Sequence, residues 1–278
     1  MLDIIKSMLY GIIQGLAEFL PVSSSGHIAI FKNIFGLPFD GAHYILYTLI
    51  LHLGSLVAVF IIYFQDIKKL VISFFTLIAK IFTGKFKYAS LNSGERFVIL
   101  IFIATLPLVI GAFIDKQIEN LADSTKIIGL FLIINAVILF FSDMINDGNI
   151  TEKTAAPKNA IFVGLCQLIA VAPGISRMGA TVTGGILNGF DRQTAVRFSF
   201  IMSIPAILGA SVFKIGDFVK SEAAVTGSMI ASCIIGFVFA FISGIIAIVL
   251  LNMIARRKNF SIFSIYCFIV GIIALIWG

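Results

Sequence analysis

Two short runs in this 278-residue chain carry side chains able to do chemistry. Residues 14–27 read QGLAEFLPVSSSGH, and residues 173–181 read PGISRMGAT. Gln14 and Glu18 are four apart, so on a helix they share one face. Ser23, Ser24, Ser25 and Gly26 then offer hydroxyls and free amides at the start of a following helical segment. Helix N-terminal N–H groups and the helix dipole favour an anion there. His27, in the same turn, can give or take a proton near neutral pH. In the second run Gly174 and Ser176 precede Arg177, a fixed cationic fork suited to phosphate oxygens, and Thr181 lies one turn further along the same face. Carboxylate, hydroxyls, imidazole and guanidinium brought to one point suit phosphoryl transfer. A cation and the arginine would stabilise charge, amides would cradle oxygens, and a hydroxyl or water would attack.

Each residue also has a plainer reading. Serines in membrane helices bond back to the preceding turn or ease close packing. A Glu18–Arg177 pair could be a structural bridge between two helices. His43 and His52 read as structural or peripheral, although His52 faces the membrane interior and could support the site. Asp143, Asp147 and Glu152 read most simply as a solvated turn. Phosphate chemistry rests on the joint occurrence.

The elements that must position these residues lie in a very apolar chain. Hydrophobic residues make up 59% and charged residues 12%, against roughly 25% charged in a soluble domain. The chain is therefore expected to be an integral membrane protein. Cys166, Cys233 and Cys267 sit in apolar runs without paired spacing, which suggests neither a disulfide framework nor a zinc site. Basic residues sit in short loops and form no patch with interleaved aromatics, so nucleic acid is not expected as a partner. The start, MLDIIKSMLYGII, lacks a charged leader and a cleavage site and reads as mature sequence.

A spanning helix needs about 20 largely apolar residues. Six segments approach this: 41–64, 97–114, 125–142, 193–213, 226–253 and 261–277. Four others, 1–20, 25–35, 158–172 and 178–189, are too short or interrupted. They form two pairs, broken at Pro21–Gly26 and at Pro173–Arg177. Proline removes a backbone donor and disfavours helix before it. Such a break at membrane depth is tolerated only where it lines a cavity or is buried in protein. Lys68, Lys69, Lys80, Lys85, Lys87 and Arg96 place the 65–96 region in the cytoplasm, and Arg256, Arg257 and Lys258 place the 255–259 turn there too. Alternation from these points makes the two broken pairs enter from opposite sides and meet near the midplane. Residues 103–112, with Pro107, also resemble residues 201–210, with Pro205. The expectation is an all-α polytopic membrane protein of one domain, 1–278. It would hold six transmembrane helices and two pairs of re-entrant half-helices in inverted-topology repeats. Repeat 1 would cover about 1–114 with the re-entrant pair in 1–35, and repeat 2 about 158–278 with the pair in 158–189.

The two runs, in this order, together with the segment from Asn188-Gly189 to Phe198-Ser199-Phe200, resemble the bacterial undecaprenyl-diphosphate phosphatase family, also called the bacitracin-resistance family. The resemblance runs the length of the chain. It implies hydrolysis of undecaprenyl diphosphate to the monophosphate and inorganic phosphate, recycling the lipid carrier of cell-wall synthesis in the bacterial plasma membrane. It implies six spanning and four re-entrant helices, a site open to the outer face, and a divalent cation, Mg2+ or Ca2+. Carried over by position, Glu18 would bind the metal with Gln14, or act as base. Ser24 would be nucleophile or phosphate ligand, beside Ser23, Ser25 and Gly26. His27 would be base, acid or a competing nucleophile. Arg177, with Gly174, Ser176 and Thr181, would bind the diphosphate. Gln14 stands where many members carry glutamate, and Met178 where many carry serine. The rival reading is a transporter or flippase of a polyprenyl phosphate using the same pocket. Lipid chain length is open, as is a homodimer.

Overall fold

The computed structural model describes residues 2–36, 39, 41–221 and 223–278; Met1, where the first short segment begins, lies outside them. Among these residues the chain is all-helical, without a β-strand; one isolated parallel bridge joins Ile150 to Phe190. The helices are α1 (Leu2–Phe19), α2 (Ser24–Phe35), α3 (Gly41–Ile62), α4 (Phe64–Phe82), α5 (Ser93–Thr105), α6 (Leu108–Glu119), α7 (Thr125–Met144), α8 (Pro157–Ile169), α9 (Arg177–Leu187), α10 (Arg192–Lys220), α11 (Gly227–Arg256) and α12 (Ser261–Trp277).

Five stretches are long and apolar enough to cross a bilayer: Gly41–Ile62, Ser93–Gly111, Thr125–Met144, Arg192–Lys220 and Gly227–Arg256. The sixth expected span is α12, apolar but 17 residues long. The outer surface is set with exposed Phe102, Phe113, Val212, Phe213 and Ile276. Such a surface would be an aggregation liability in water and is what lipid requires. The protein is thus a multi-pass helical membrane protein. Where helices must pack closely, small residues let them. Gly11 and Gly15 of α1 lie against Gly236, Ala240 and Gly244 of α11, with no room for a Cβ. Without a hydrophobic drive between helices in lipid, this close van der Waals contact is the main adhesive.

Two helices are interrupted where the sequence carries proline and small polar residues. α1 ends at Phe19 and α2 begins at Ser24, with Ser23 as its N-cap; α8 ends at Ile169 and α9 begins at Arg177, capped by Ser176. The prolines of the residue 103–112 and 201–210 resemblance behave differently. Pro107 separates α5 from α6, whereas Pro205 lies inside α10. α10 continues for 29 residues and buries Ile201, Met202, Ser203 and Ile207 around that proline. Packing holds the helix together where one backbone bond is missing.

The stretch after α3 is not a plain loop. α4 places Ile67, Leu70, Val71, Phe74, Leu77, Ile78 and Ile81 on one side and Lys68, Lys69, Ser73, Thr76 and Lys80 on the other. Its lysines had marked it as loop, but its apolar residues keep the i, i+3, i+4 spacing of an amphipathic helix. The acidic residues of the 143–152 turn are also paired rather than solvated. Arg192, nearly fully buried, donates from Nε to Asp147 at 2.8 Å and from Nη1 to Asp143 at 3.3 Å. Lys258 also meets Asp147, and Arg197 binds both Asp66 and Glu152. These pairs gather the α3–α4 junction, the 145–156 loop and the α11–α12 turn at one end of the bundle.

Candidate active site

The two breaks touch. A Cβ on Gly26, in the first turn of α2, would lie 3.0 Å from the Cα of Gly174. Gly174 itself has φ +107°, a conformation that favours glycine, and its own Cβ would lie 2.8 Å from the Ile128 carbonyl oxygen. Bare backbone on both sides is what allows the junction to close.

Glu18 lies at the centre of that junction, with its side chain only 3% exposed. Its Oε1 is paired with Nη2 of Arg177, which reaches across from the start of α9. Its Oε2 accepts from Ser24 Oγ at 2.7 Å and from Gln14 Nε2 at 2.9 Å. His52 Nε2, from α3, lies 3.9 Å from the same oxygen. A buried carboxylate is tolerable when its lone pairs are filled and a cation is opposite, and both conditions are met here. Because Ser24 Oγ already points its proton at Glu18, the pair has the geometry of a nucleophile and its base.

Ser23 is the strained point. Its φ of 74° is unusual for a residue with a side chain and costs of order 1–3 kcal/mol. In this conformation Ser23 Oγ caps α2, accepting from the Gly26 N–H at 3.2 Å, and its carbonyl accepts from the His27 ring. Ser24 is left to turn inward toward Glu18. Ser25, exposed, has its Oγ 3.3 Å from Ser23 Oγ.

The remaining candidates divide. His27 has both ring nitrogens engaged. Nδ1–H donates to the Ser23 carbonyl at 2.8 Å, and Nε2 meets the Tyr266 hydroxyl of α12 at 2.8 Å, with the rings stacked. With Nδ1 protonated, a neutral ring accepts from Tyr266 at Nε2. Ser176 Oγ caps α9 by accepting from Gly179 N–H, and Thr181 Oγ1 donates back to the Arg177 carbonyl at 2.9 Å. These two hydroxyls fix the helix that carries the guanidinium. Met178 is buried in the apolar core. His43 is peripheral, bonded to the Ala224 carbonyl.

The site residues supply oxygen donors for a hard divalent cation. Gln14 Oε1 is buried without a hydrogen-bond partner, because the amide is turned to donate its N–H to Glu18. Amide oxygen, carboxylate and the Ser24 hydroxyl form an all-oxygen set of the kind Mg2+ and Ca2+ accept. Among the described residues no cluster of three or more His, Cys, Asp or Glu is placed to hold an ion.

Two residues that bear on the site carry no motif: Tyr266, and Asn135 of α7, which touches both breaks. Asn135 had a legible signal, a lone amide in the middle of an apolar span, where polar side chains find partners on other helices. Tyr266 had none.

Residues 7–273 match the family model for bacitracin resistance protein BacA. An undecaprenyl-diphosphatase of Methanosphaera stadtmanae is 37% identical, the alignment covering 99% of this chain and 98% of that one. One from Alkaliphilus metalliredigens is 38% identical over 98% of both chains, and one from Bacteroides fragilis 34% identical over 98% and 97%.

Proposed function

The chain belongs to the bacitracin resistance protein BacA family, and on that premise we infer that it hydrolyses undecaprenyl diphosphate to undecaprenyl phosphate and inorganic phosphate. That reaction recycles the lipid carrier for cell-wall synthesis and supports resistance to bacitracin. The observation that carries the reading at this site is Glu18 held between Ser24 and Arg177. A pure binding pocket has no use for a hydroxyl already hydrogen-bonded to a base.

In this mechanism the diphosphate enters with its terminal phosphate against Arg177 and the amides of the α2 N-terminus, which offset its charge. Ser24 Oγ passes its proton to Glu18 and bonds to the terminal phosphorus; the bridging P–O bond breaks and undecaprenyl phosphate leaves. Water then attacks the phosphoserine phosphorus; Glu18, having given the first proton to the departing undecaprenyl phosphate, takes the water's proton and returns it to Ser24 Oγ as phosphate leaves. A water in place of Ser24 gives the same products in one step. A divalent cation held by Glu18, Gln14 and Ser24 would add further stabilisation of phosphate charge. His27, one turn after Ser24 on α2, forms a second proton-carrying pair with Tyr266.

The half-helix arrangement supports a lipid headgroup site inside the bilayer. α1, α2, α8 and α9, of 18, 12, 13 and 11 residues, are shorter than the roughly 20 residues of a span. They enter from opposite faces as inverted repeats, while α3, α5–α6, α7, α10, α11 and α12 cross. The ion-paired end holds Lys258 and adjoins Arg256 and Arg257; by the positive-inside rule it faces the cytoplasm. The catalytic pocket then opens outward, and the isoprenoid tail lies laterally among helices.

Detergent-solubilised protein, where transport has no meaning, tests hydrolase against flippase. Release of phosphate from undecaprenyl diphosphate is the expected result. Translocation in vesicles with no phosphate release in detergent would overturn the assignment.

A further inference from the structure

Asn135 is fully buried in the middle of α7, a helix that contributes no residue to the chemistry above. Its amide has one partner on each break. Nδ2 donates to the Pro21 carbonyl at 2.9 Å, and the Ser176 N–H donates to Oδ1 at 3.0 Å. Pro21 lies three residues before Ser24, and Ser176 immediately precedes Arg177. Among the described residues the Pro21 carbonyl otherwise meets only the Cys267 thiol, at 3.9 Å. The Ser176 N–H precedes the first turn of α9 and so has no helical acceptor.

Small residues bring α7 within reach. A Cβ on Gly174 would lie 2.8 Å from Phe131 Cβ, and one on Gly179 would lie 3.2 Å from Asn135 Oδ1. α7 therefore rests directly on the second break while its amide reaches the first. We infer that Asn135 is a positioning residue that fixes the separation of the two breaks, and so the reach of Arg177 toward Glu18 and Ser24; this rests on the hydrolase reading of the site. A carboxamide suits the task because it presents one donor and one acceptor from a single planar group. In lipid, a backbone group that loses its partner cannot turn to water. A misplacement of about 1 Å can cost about a hundredfold in rate.

Asn135→Asp separates positioning from packing, since the two side chains have nearly the same shape. The ionised carboxylate still accepts from Ser176 but faces Pro21 without a proton; the protonated carboxyl restores both bonds. Among the described residues, titratable groups on elements packed against α7 are Tyr266 and Cys267 on α12, His27 and Lys32 on α2, Arg177 on α9 and Asp123 before α7. Cys267 Sγ, 3.4 Å from Nδ2, is the nearest of these in direct contact. All are present in the wild type, so the comparison is the ratio of variant to wild-type kcat across pH.

At alkaline pH kcat of Asn135→Asp should fall about a hundredfold with KM nearly unchanged, and the ratio should recover as pH is lowered. Asn135→Leu should lose kcat at every pH. An Asp variant equal to wild type throughout, or one whose deficit is independent of pH and equal to that of Leu, overturns the proposal. If the Asp variant does not fold, Asn135→Gln decides: its longer arm keeps both hydrogen-bonding groups but alters the spacing, so a wild-type kcat would refute the role. Wild-type protein that releases no phosphate would defeat the hydrolase reading instead. The clamp is then judged by hydrogen exchange at the Ser176 amide, expected to be slow in wild type and fast in Asn135→Leu; equal rates would reject it.

Discussion

Glu18 and Arg177, 159 residues apart in sequence, form a single ion pair at the meeting point of two interrupted helices. The carboxylate's other oxygen holds Ser24, so one buried group links the cation to the proposed nucleophile. Arg177→Ala is expected to lower phosphate release by at least about a hundredfold, as loss of a preorganised charge donor does. It should also destabilise the protein by about 3 kcal/mol, because a buried carboxylate is left unpaired. The double variant Glu18→Gln/Arg177→Met should recover the melting temperature while remaining inactive. Recovery of turnover along with stability would mean that the pair is structural only.

Ser24→Ala removes the hydroxyl that donates to Glu18. Proton transfer by a positioned base contributes about 10²–10⁴ in rate, and kcat should fall within that range while substrate binding persists. Acid quench of wild-type protein with labelled diphosphate should leave phosphate on Ser24. A fully active alanine variant transfers the attack to water.

The orphaned oxygen of Gln14 is the observation behind the proposed cation. EDTA should abolish phosphate release and added Mg2+ or Ca2+ restore it. Gln14→Leu should raise the cation concentration for half-activation about 10–100-fold, and Gln14→Glu should lower it. Equal metal dependence in all three proteins would remove Gln14 from the ligand set.

At the ion-paired end, Asp147 ionises below the usual carboxylate range. Its partial burial opposes charge, but Lys258 and Arg192 outweigh that effect. A carboxyl with a depressed folded-state pKa stabilises the fold above its unfolded pKa and loses that contribution as pH falls through the folded value. Asp147→Asn should therefore cost about 1 kcal/mol or less at neutral pH, the side chain being 37% exposed. Melting curves of the two proteins should converge in acid. A gap that persists there would mean the residue acts by packing.

Much of this arrangement was legible in the residues. Pro21 and Pro173 mark the interruptions, and an isolated Glu18 and Arg177 in apolar sequence imply a partner for each. Packing decided what periodicity and charge could not. Pro107 divides a helix and Pro205 does not, because neighbours hold α10 together. Lysines concealed the amphipathic α4. The plain reading of Asp143, Asp147 and Glu152 as solvated missed Arg192 and Arg197, whose approach depends on tertiary folding. His52 lies beside Glu18 and His27 beside Tyr266, a difference in direction that sequence spacing does not encode.

The glycine seam between α1 and α11 has a consequence for biogenesis. The first hairpin leaves the ribosome with its carboxylate and kinked backbone, but the surface that receives it is more than 200 residues away. Until Gly236 and Gly244 are translated, no helix exists for Gly11 and Gly15 to lie against. The amino-terminal segment can therefore complete its packing only after α11 has been made, so its docking should be a late step of assembly.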